Sequence, residues 1–229
     1  ITFLPINSMP FIAKSVFIRN NIIEANLLQI DISKWRPIMN QEMEFDYYTL
    51  SKKEDVDKLN DVLAFPQEAI KQVNHYFETA DFQLKDKSSA LRIREKDTAF
   101  ILTLKQAQAD GILETHEKLT KAEFDAFLQN KIGYKDHVGK QLKELGIEMS
   151  DLQYYGSLTT YRKSFSKNEI EYVLDESHYG EVIDYELEIE AASMTSARNA
   201  FEALLKKHKI KKLASITKIE RFFTEMYRS

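Results

Sequence analysis

The feature that most constrains this chain is an alternation of charged and aliphatic residues repeated along many strand-like segments. Successive side chains on a strand point to opposite faces. In Leu91-Arg92-Ile93-Arg94 both arginines therefore share one face and the aliphatics the other. The same period places Thr103 with Lys105, Glu42 with Glu44, Thr160 with Arg162, and Glu171 and Val173 with Asp175. It also aligns Glu186, Glu188 and Glu190. Taken singly, each segment reads as a sheet with one solvated face. Together they differ from that pattern, because the charges segregate: some strands present acids and others bases, where a solvated face mixes signs.

Period-two segments cover Glu42–Tyr48, Gln72–Thr79, Ala90–Lys96, Ala99–Gln106, Ile112–Leu119, Gln153–Phe165, Glu169–Asp175 and Glu181–Glu190. Short connections favour antiparallel neighbours, and Lys167-Asn168 is the expected hairpin turn. Capping-box patterns start helices after Ser51 and at Thr120, the latter running through about Asn130. Further helices are expected over about Asp136–Leu145 and Thr195–Lys207, with Ser215 capping a short last one. The class is α+β, dominated by antiparallel sheet. Eight strands can close into a barrel wide enough for a small ligand, with charged faces inside and aliphatic faces against helices.

Like charges about 5 Å apart at an effective dielectric near 20 repel by roughly 3 kcal/mol. Facing carboxylates must raise their pKa values or bind cations, and hard divalent ions such as Mg²⁺ or Mn²⁺ take oxygen ligands of this kind. Clustered arginines and lysines have the converse need for an anion. Acids beside bases suit a metal–polyphosphate ligand.

Composition narrows the alternatives. The 229 residues suffice for one sizeable domain. With 36 acids against 32 bases the net charge is −4, which argues against a nucleic-acid or anionic-membrane partner. There is no cysteine, which removes disulfides, Cys-ligated zinc and thiol nucleophiles and fits a cytoplasmic setting. No apolar run is long enough to span a bilayer. Residues 1–38, interrupted by Pro5 and Pro10, read as an N-terminal extension, non-native or weakly ordered, ahead of a domain over 39–229. The five histidines, His75, His116, His137, His178 and His208, show no metal-binding spacing and read as structural or exposed. The tyrosine pairs at 47–48 and 154–155 read as packing in preference to base stacking. The basic run from Lys206 to Lys212 reads as a solvated helix end.

An ordered set of motifs resembles the CYTH superfamily, which groups class IV adenylyl cyclases, thiamine triphosphatases and related bacterial triphosphatases. Glu42-Met43-Glu44-Phe45-Asp46 stands where that family has an ExExK strand. Asn74-His75-Tyr76-Phe77-Glu78-Thr79 resembles its N-x-Y-F-D-T strand, Leu91–Arg94 its L-R-I-R strand, and Leu102–Lys105 the T-x-K strand that follows. Thr160-Tyr161-Arg162, Leu174-Asp175, Glu186–Glu190 and Ser215–Arg221 follow in order, so the resemblance covers about residues 40–226.

It implies a closed antiparallel eight-stranded β-barrel tunnel with flanking helices, potentially open at both ends. It further implies that Glu42, Glu44, Asp175, Glu186 and Glu188 ligate Mg²⁺ or Mn²⁺, with Glu190 a further candidate. Arg92, Arg94, Lys105, Arg162, Lys218 and Arg221 would grip a triphosphate-containing small molecule. Glu42, Glu44 and Arg162 would form the catalytic set, Glu114 would orient a basic residue or water, and the protein would act as a monomer or homodimer. The implied activity is metal-dependent hydrolysis of inorganic triphosphate or an organic triphosphate such as thiamine triphosphate. Two departures stand out. Asp46 replaces the family lysine, a swing of two charges beside a polyanion, and Glu78 replaces the usual aspartate. A non-catalytic polyphosphate or nucleotide binder and a class IV adenylyl cyclase are the rival readings.

Overall fold

The computed structural model describes residues 41–109, 111–213 and 216–227. The side chains of Glu42, Asp46, Tyr47 and Leu50 lie outside the described set, as do Ser215 and the expected extension 1–38. Residues 40–229 form one compact unit.

Nine strands make one sheet. They are β1 (Gln41–Glu44), β2 (Asp46–Ser51), β3 (Ile70–Thr79), β4 (Ser89–Lys96), β5 (Ala99–Gln108), β6 (Gly111–Leu119), β7 (Leu152–Lys167), β8 (Ile170–Tyr179) and β9 (Val182–Ala191). All neighbours are antiparallel, in the order β1-β6-β5-β4-β3-β7-β8-β9-β2. The two edge strands, β1 and β2, are separated along the chain by Phe45 alone, so the sheet must curl until its edges meet. Phe45 is the seam. Its carbonyl accepts from Ala191 N at 3.1 Å on the β9 side. On the β6 side Gly111 lies so close that an added Cβ would sit 2.8 Å from Glu44 O. The single first strand expected over 42–48 is thus broken into two, which turns eight strands into nine.

Among the described residues, six helices flank the sheet: α1 (Lys53–Val62), α2 (Gln83–Asp86), α3 (Lys121–Leu128), α4 (Asp136–Glu144), α5 (Met194–His208) and α6 (Lys218–Met226). The Thr120–Glu123 capping box forms in full. The one expected at Ser51 does not: Ser51 ends β2, and α1 starts from Lys52 without a side-chain cap. α6 is capped by Thr217 with Glu220. The β7–β8 turn is Asn168-Glu169, one residue beyond the expected pair. Both residues have positive φ, 54° and 62°, which gives the two-residue loop that matches strand twist.

The aliphatic faces point outward. Leu91, Ile93, Leu102 and Leu104 pack with Phe124 and Phe127 of α3 and Val138 and Leu142 of α4. Leu174, Leu187 and Ile189 pack with Leu59 of α1 and Phe201, Leu204 and Leu205 of α5. Fully burying each such side chain contributes about 1.5–3 kcal/mol, so the helices hold the sheet from outside and leave the charged face to the interior.

A third cluster lies on the inner face and fills one of the two tunnel ends that the resemblance leaves potentially open. Tyr76 pairs across strands with Arg92, and Leu158 pairs with Asn74, the cross-strand partner of Arg94. Tyr179 follows Asp175 and Ser177 at period two. All three therefore share the lumen face, and Phe222 of α6 is fully buried among them. α6 plugs that end. Gly156, at φ +132° opposite Tyr76, admits it, since a Cβ there would meet Phe222 Cζ at 3.1 Å.

Candidate functional site

Register carries the charged residues into one lumen. Arg162 pairs with Asp175 and Asp175 with Glu186. Lys105 pairs with Glu114, and Glu114 with Glu42. Arg92 pairs with Thr103. Cross-strand partners share a face, so the predicted site residues on strands whose side chains are described face the same interior. Lys218 and Arg221 reach it from the first turn of α6.

On the β7–β9 wall, Asp175, Glu186 and Glu188 each offer an oxygen within 4.8 Å of the others. Arg162 grips Asp175 in a bidentate fork, with Nε and Nη2 at 2.8 and 2.7 Å, and Nη2 also donates to Glu188 at 2.7 Å. Lys218 Nζ lies 2.5 Å from Asp175, 2.9 Å from Glu186 and 3.3 Å from Glu188. Arg221 donates to Asp184 at 2.8 Å and lies 3.1 Å from Glu186. Burial alone would raise the Asp175 pKa, but Arg162 and Lys218 outweigh it and hold the carboxyl well below its usual range. Glu186, equally buried, is shifted upward by burial, with Glu188 adding to the shift and Lys218 opposing it. Glu190 is pushed up to about 8 by burial and by Glu188 and Glu44, and its nearest cation is Arg162 Nη1 at 3.9 Å.

The opposite wall is arranged differently. Lys105 Nζ sits 2.5 Å from Glu44 Oε2 and contacts Glu114 Oε1. His116 lies 3.4 Å from the other Glu114 oxygen. Arg94 has a 3.4 Å bond to Asn74, and the Nε of Arg92 is buried without a partner. Burial and the neighbouring Arg92 and Arg162 guanidinium groups pull Arg94 down to about 9.

Acids and bases therefore interleave on the β7–β9 wall, and the arginines of β4 stand apart. Glu44 is grouped with Lys105 and Glu114, not with the three-carboxylate cluster, and the Glu42 side chain lies outside the described residues. The Tyr154–Tyr155 pair packs in the core side of the fold: Tyr154 lies against Phe77 and His75, and Tyr155 against Phe82 and Phe223. Asp184 extends the β9 alternation by one more acid and is a lumen residue that sequence reasoning passed over, as are His116 and Asn74. Continuing the period-two count outward from Glu186 and Glu114 finds the first two.

Chemically, three clustered carboxylates make an all-oxygen donor set suited to a hard divalent cation. The Lys218 ammonium among them shows that the cluster accommodates a positive charge. Arg92 and Arg94 offer guanidinium groups suited to phosphate oxygens. No described helix is long and apolar enough to cross a membrane.

The CYTH domain family matches residues 40–223. A curated relative, the candidate triphosphatase YjbK of Bacillus subtilis, is 37% identical over 193 residues, which is 83% of this chain and 100% of that protein. The solved structure of a candidate adenylate cyclase from Bacillus halodurans is 40% identical with a TM-score of 0.77, covering 81% of this chain and 100% of that one. HpAC1 of Hippeastrum shares the fold at 22% identity and a TM-score of 0.66, covering 80% of this chain and 96% of that one. Order of motifs, curled nine-stranded sheet and family match agree: this chain belongs to the CYTH domain family.

Proposed function

We propose that this protein hydrolyses a triphosphate with the help of a divalent cation, Mg²⁺ or Mn²⁺, in the cytoplasm. The observation that carries the reading is the juxtaposition, in one curled lumen, of the Asp175–Glu186–Glu188 cluster with the Arg92–Arg94 pair, where the Nε of Arg92 is buried without a hydrogen-bond partner. The naming of the Bacillus subtilis relative as a candidate triphosphatase supports it.

Phosphoryl transfer needs little covalent chemistry from a protein; positioning and charge stabilisation do most of the work. Asp175, Glu186 and Glu188 would hold one cation, and Glu44 with Glu42 would serve as ligands to a second. Bound there, the cation supplies charge neutralisation at phosphate oxygens and favours deprotonation of an attacking water. Arg92 and Arg94 bind the phosphate chain, and their mutual repulsion falls when an anion lies between them. Lys105 contacts the phosphate from the β5 side, aimed by Glu114. Arg162 and Lys218, paired with these carboxylates, stabilise charge on the transferring group. α6 closes one end of the tunnel with Phe222, which excludes water from that side. Asp46, in place of the family lysine, leaves phosphate contact to these five cations.

The test is phosphate release from inorganic triphosphate, thiamine triphosphate and ATP, each with Mg²⁺ or Mn²⁺. Release that is lost in EDTA and in Glu44→Gln is the expected outcome. Binding without release would favour a non-catalytic binder. The adenylate cyclase name of the 40% identical structure adds one arm: cyclic AMP formed from ATP would replace hydrolysis by cyclisation.

A further inference from the structure

His116 lacks any metal-type spacing in the sequence, yet the structure puts it inside the lumen. It lies two residues from Glu114 on β6 and so shares its face. It pairs across strands with Thr103, which pairs with Arg92. Thr103 Oγ1 lies 3.0 Å from His116 Nδ1, and His116 Nε2 lies 3.4 Å from Glu114 Oε2. Thr103 and Glu114 are 3% and 5% exposed, so neither partner has water as an easy substitute. The remaining Glu114 oxygen contacts Lys105 Nζ, itself 2.5 Å from Glu44. Five side chains thus form one line: Thr103, His116, Glu114, Lys105 and Glu44.

One neutral tautomer satisfies the line. The Thr103 hydroxyl donates to Nδ1, which leaves the proton on Nε2, the nitrogen 3.4 Å from Glu114 Oε2. Each Glu114 oxygen then has its own cationic or donor neighbour, which fixes the carboxylate plane. Without the imidazole, Oε2 loses that neighbour, and Glu114 can rotate away from Lys105.

We propose that His116 is a positioning residue of the triphosphate site. It holds Glu114 so that Glu114 keeps the Lys105 ammonium aimed into the lumen beside the Arg92 row. It acts through Glu114 and does not itself touch phosphate. The inference rests on the reading of Lys105 as a phosphate contact.

A double-mutant cycle between His116→Leu and Glu114→Gln tests it. The probe is inorganic triphosphate, titrated calorimetrically in EDTA so that no metal-dependent turnover intervenes. Melting temperatures are recorded for each protein. His116→Leu is expected to weaken binding about five- to tenfold when Glu114 is present and less than twofold in the Glu114→Gln background, since contacting residues couple. His116→Asn, whose amide can accept from Thr103 and donate to Glu114, is expected to bind within about threefold of the unsubstituted protein. Should Glu114→Gln fail to fold, Thr103→Val takes its place in the cycle, and its loss is expected not to multiply with that of His116→Leu. Unchanged binding by His116→Leu, or the same factor lost in both backgrounds, overturns the inference. Phosphate release with Mg²⁺ is measured in parallel: an unsubstituted protein that binds but releases nothing defeats the hydrolase reading alone, and the cycle is still decided on affinity.

Discussion

On the β7–β9 wall of the tunnel, Arg162, Lys218 and Arg221 lie against Asp175, Asp184, Glu186 and Glu188, and the charges neutralise one another. On the β4 wall, Arg92 and Arg94 lie beside each other with Asn74 as the recorded partner of one and none for the Nε of the other. Both walls consist of buried charge on the inner face of antiparallel strands, yet their pKa shifts run oppositely. Arg162 is raised well above its ordinary value, because Asp175 and Glu188 outweigh burial. Arg94 falls to about 9, because burial, Arg92 and Arg162 act together. A buried charge left without a partner works against the fold. The first wall is held by its own ion pairs, whereas the β4 arginines make none among the described residues, and Arg94 has only the longer-range attraction of Glu114 and Asp175 to offset burial. That difference orients a metal–triphosphate ligand: metal toward β8–β9, phosphates toward β4.

Breaking the carboxylate wall should have the largest effect. Glu188→Gln removes one cluster oxygen and leaves Arg162 its fork to Asp175. Cation-dependent phosphate release is expected to fall by about 10²–10³-fold, measured with saturating Mg²⁺, together with loss of the Mg²⁺-induced rise in melting temperature.

Lys218→Met sharpens the comparison from the other side. In the absence of metal it leaves three carboxylates short of a cation, and the cost is about 3 kcal/mol. Mg²⁺ should then raise its melting temperature more than it raises that of the unsubstituted protein. Equal increments in the two would show that Lys218 does not share its place with the metal.

Arg94→Met tests the arginine wall, with function and stability expected to part. Triphosphate affinity should drop about 10–30-fold, the loss of a charged hydrogen bond, while the ligand-free protein becomes more stable at neutral pH. The sign follows from Arg94 itself. Burial and the neighbouring Arg92 and Arg162 disfavour its charged form, and because a guanidinium keeps its charge, the folded chain carries that cost until the side chain is replaced. Chemical denaturation at about pH 7 without ligand should show Arg94→Met to be the more stable protein.

The smallest effect is expected at the plug. Gly156→Ala places a Cβ at φ +132° and 3.1 Å from Phe222, at a cost of about 1–2 kcal/mol in urea denaturation. Phosphate release should hold within about threefold, since no charged lumen residue moves.

Much of this site is legible in the sequence because strands have period two. Once Arg92 is placed inward, Arg94 follows, and the same count fixes Lys105, Arg162, Asp175, Glu186 and Glu188. The family motifs then supply the order. Local pattern does not show how the walls are neutralised. The fork from Arg162 to Asp175 needs the β7–β8 register, and the Lys218 contacts need a helix folded back from forty residues further on. Phe222 reads as an ordinary helix residue in the sequence, and only the tertiary fold places it in the tunnel's end. The break at Phe45 is equally non-local, because pairing with β6 before it and β9 after it closes the sheet. Ser51 misled as a cap because its backbone was already committed to β2.

The most direct test of the two-wall account is a crystal structure with Mn²⁺ and triphosphate at a pH too low for turnover, using the anomalous signal of manganese. The account predicts a manganese peak among Asp175, Glu186 and Glu188, Lys218 Nζ withdrawn from them, and phosphate oxygens within hydrogen-bond distance of Arg92 and Arg94. A peak between Glu44 and Glu114 instead, with Lys218 still seated on its three carboxylates, would contradict it.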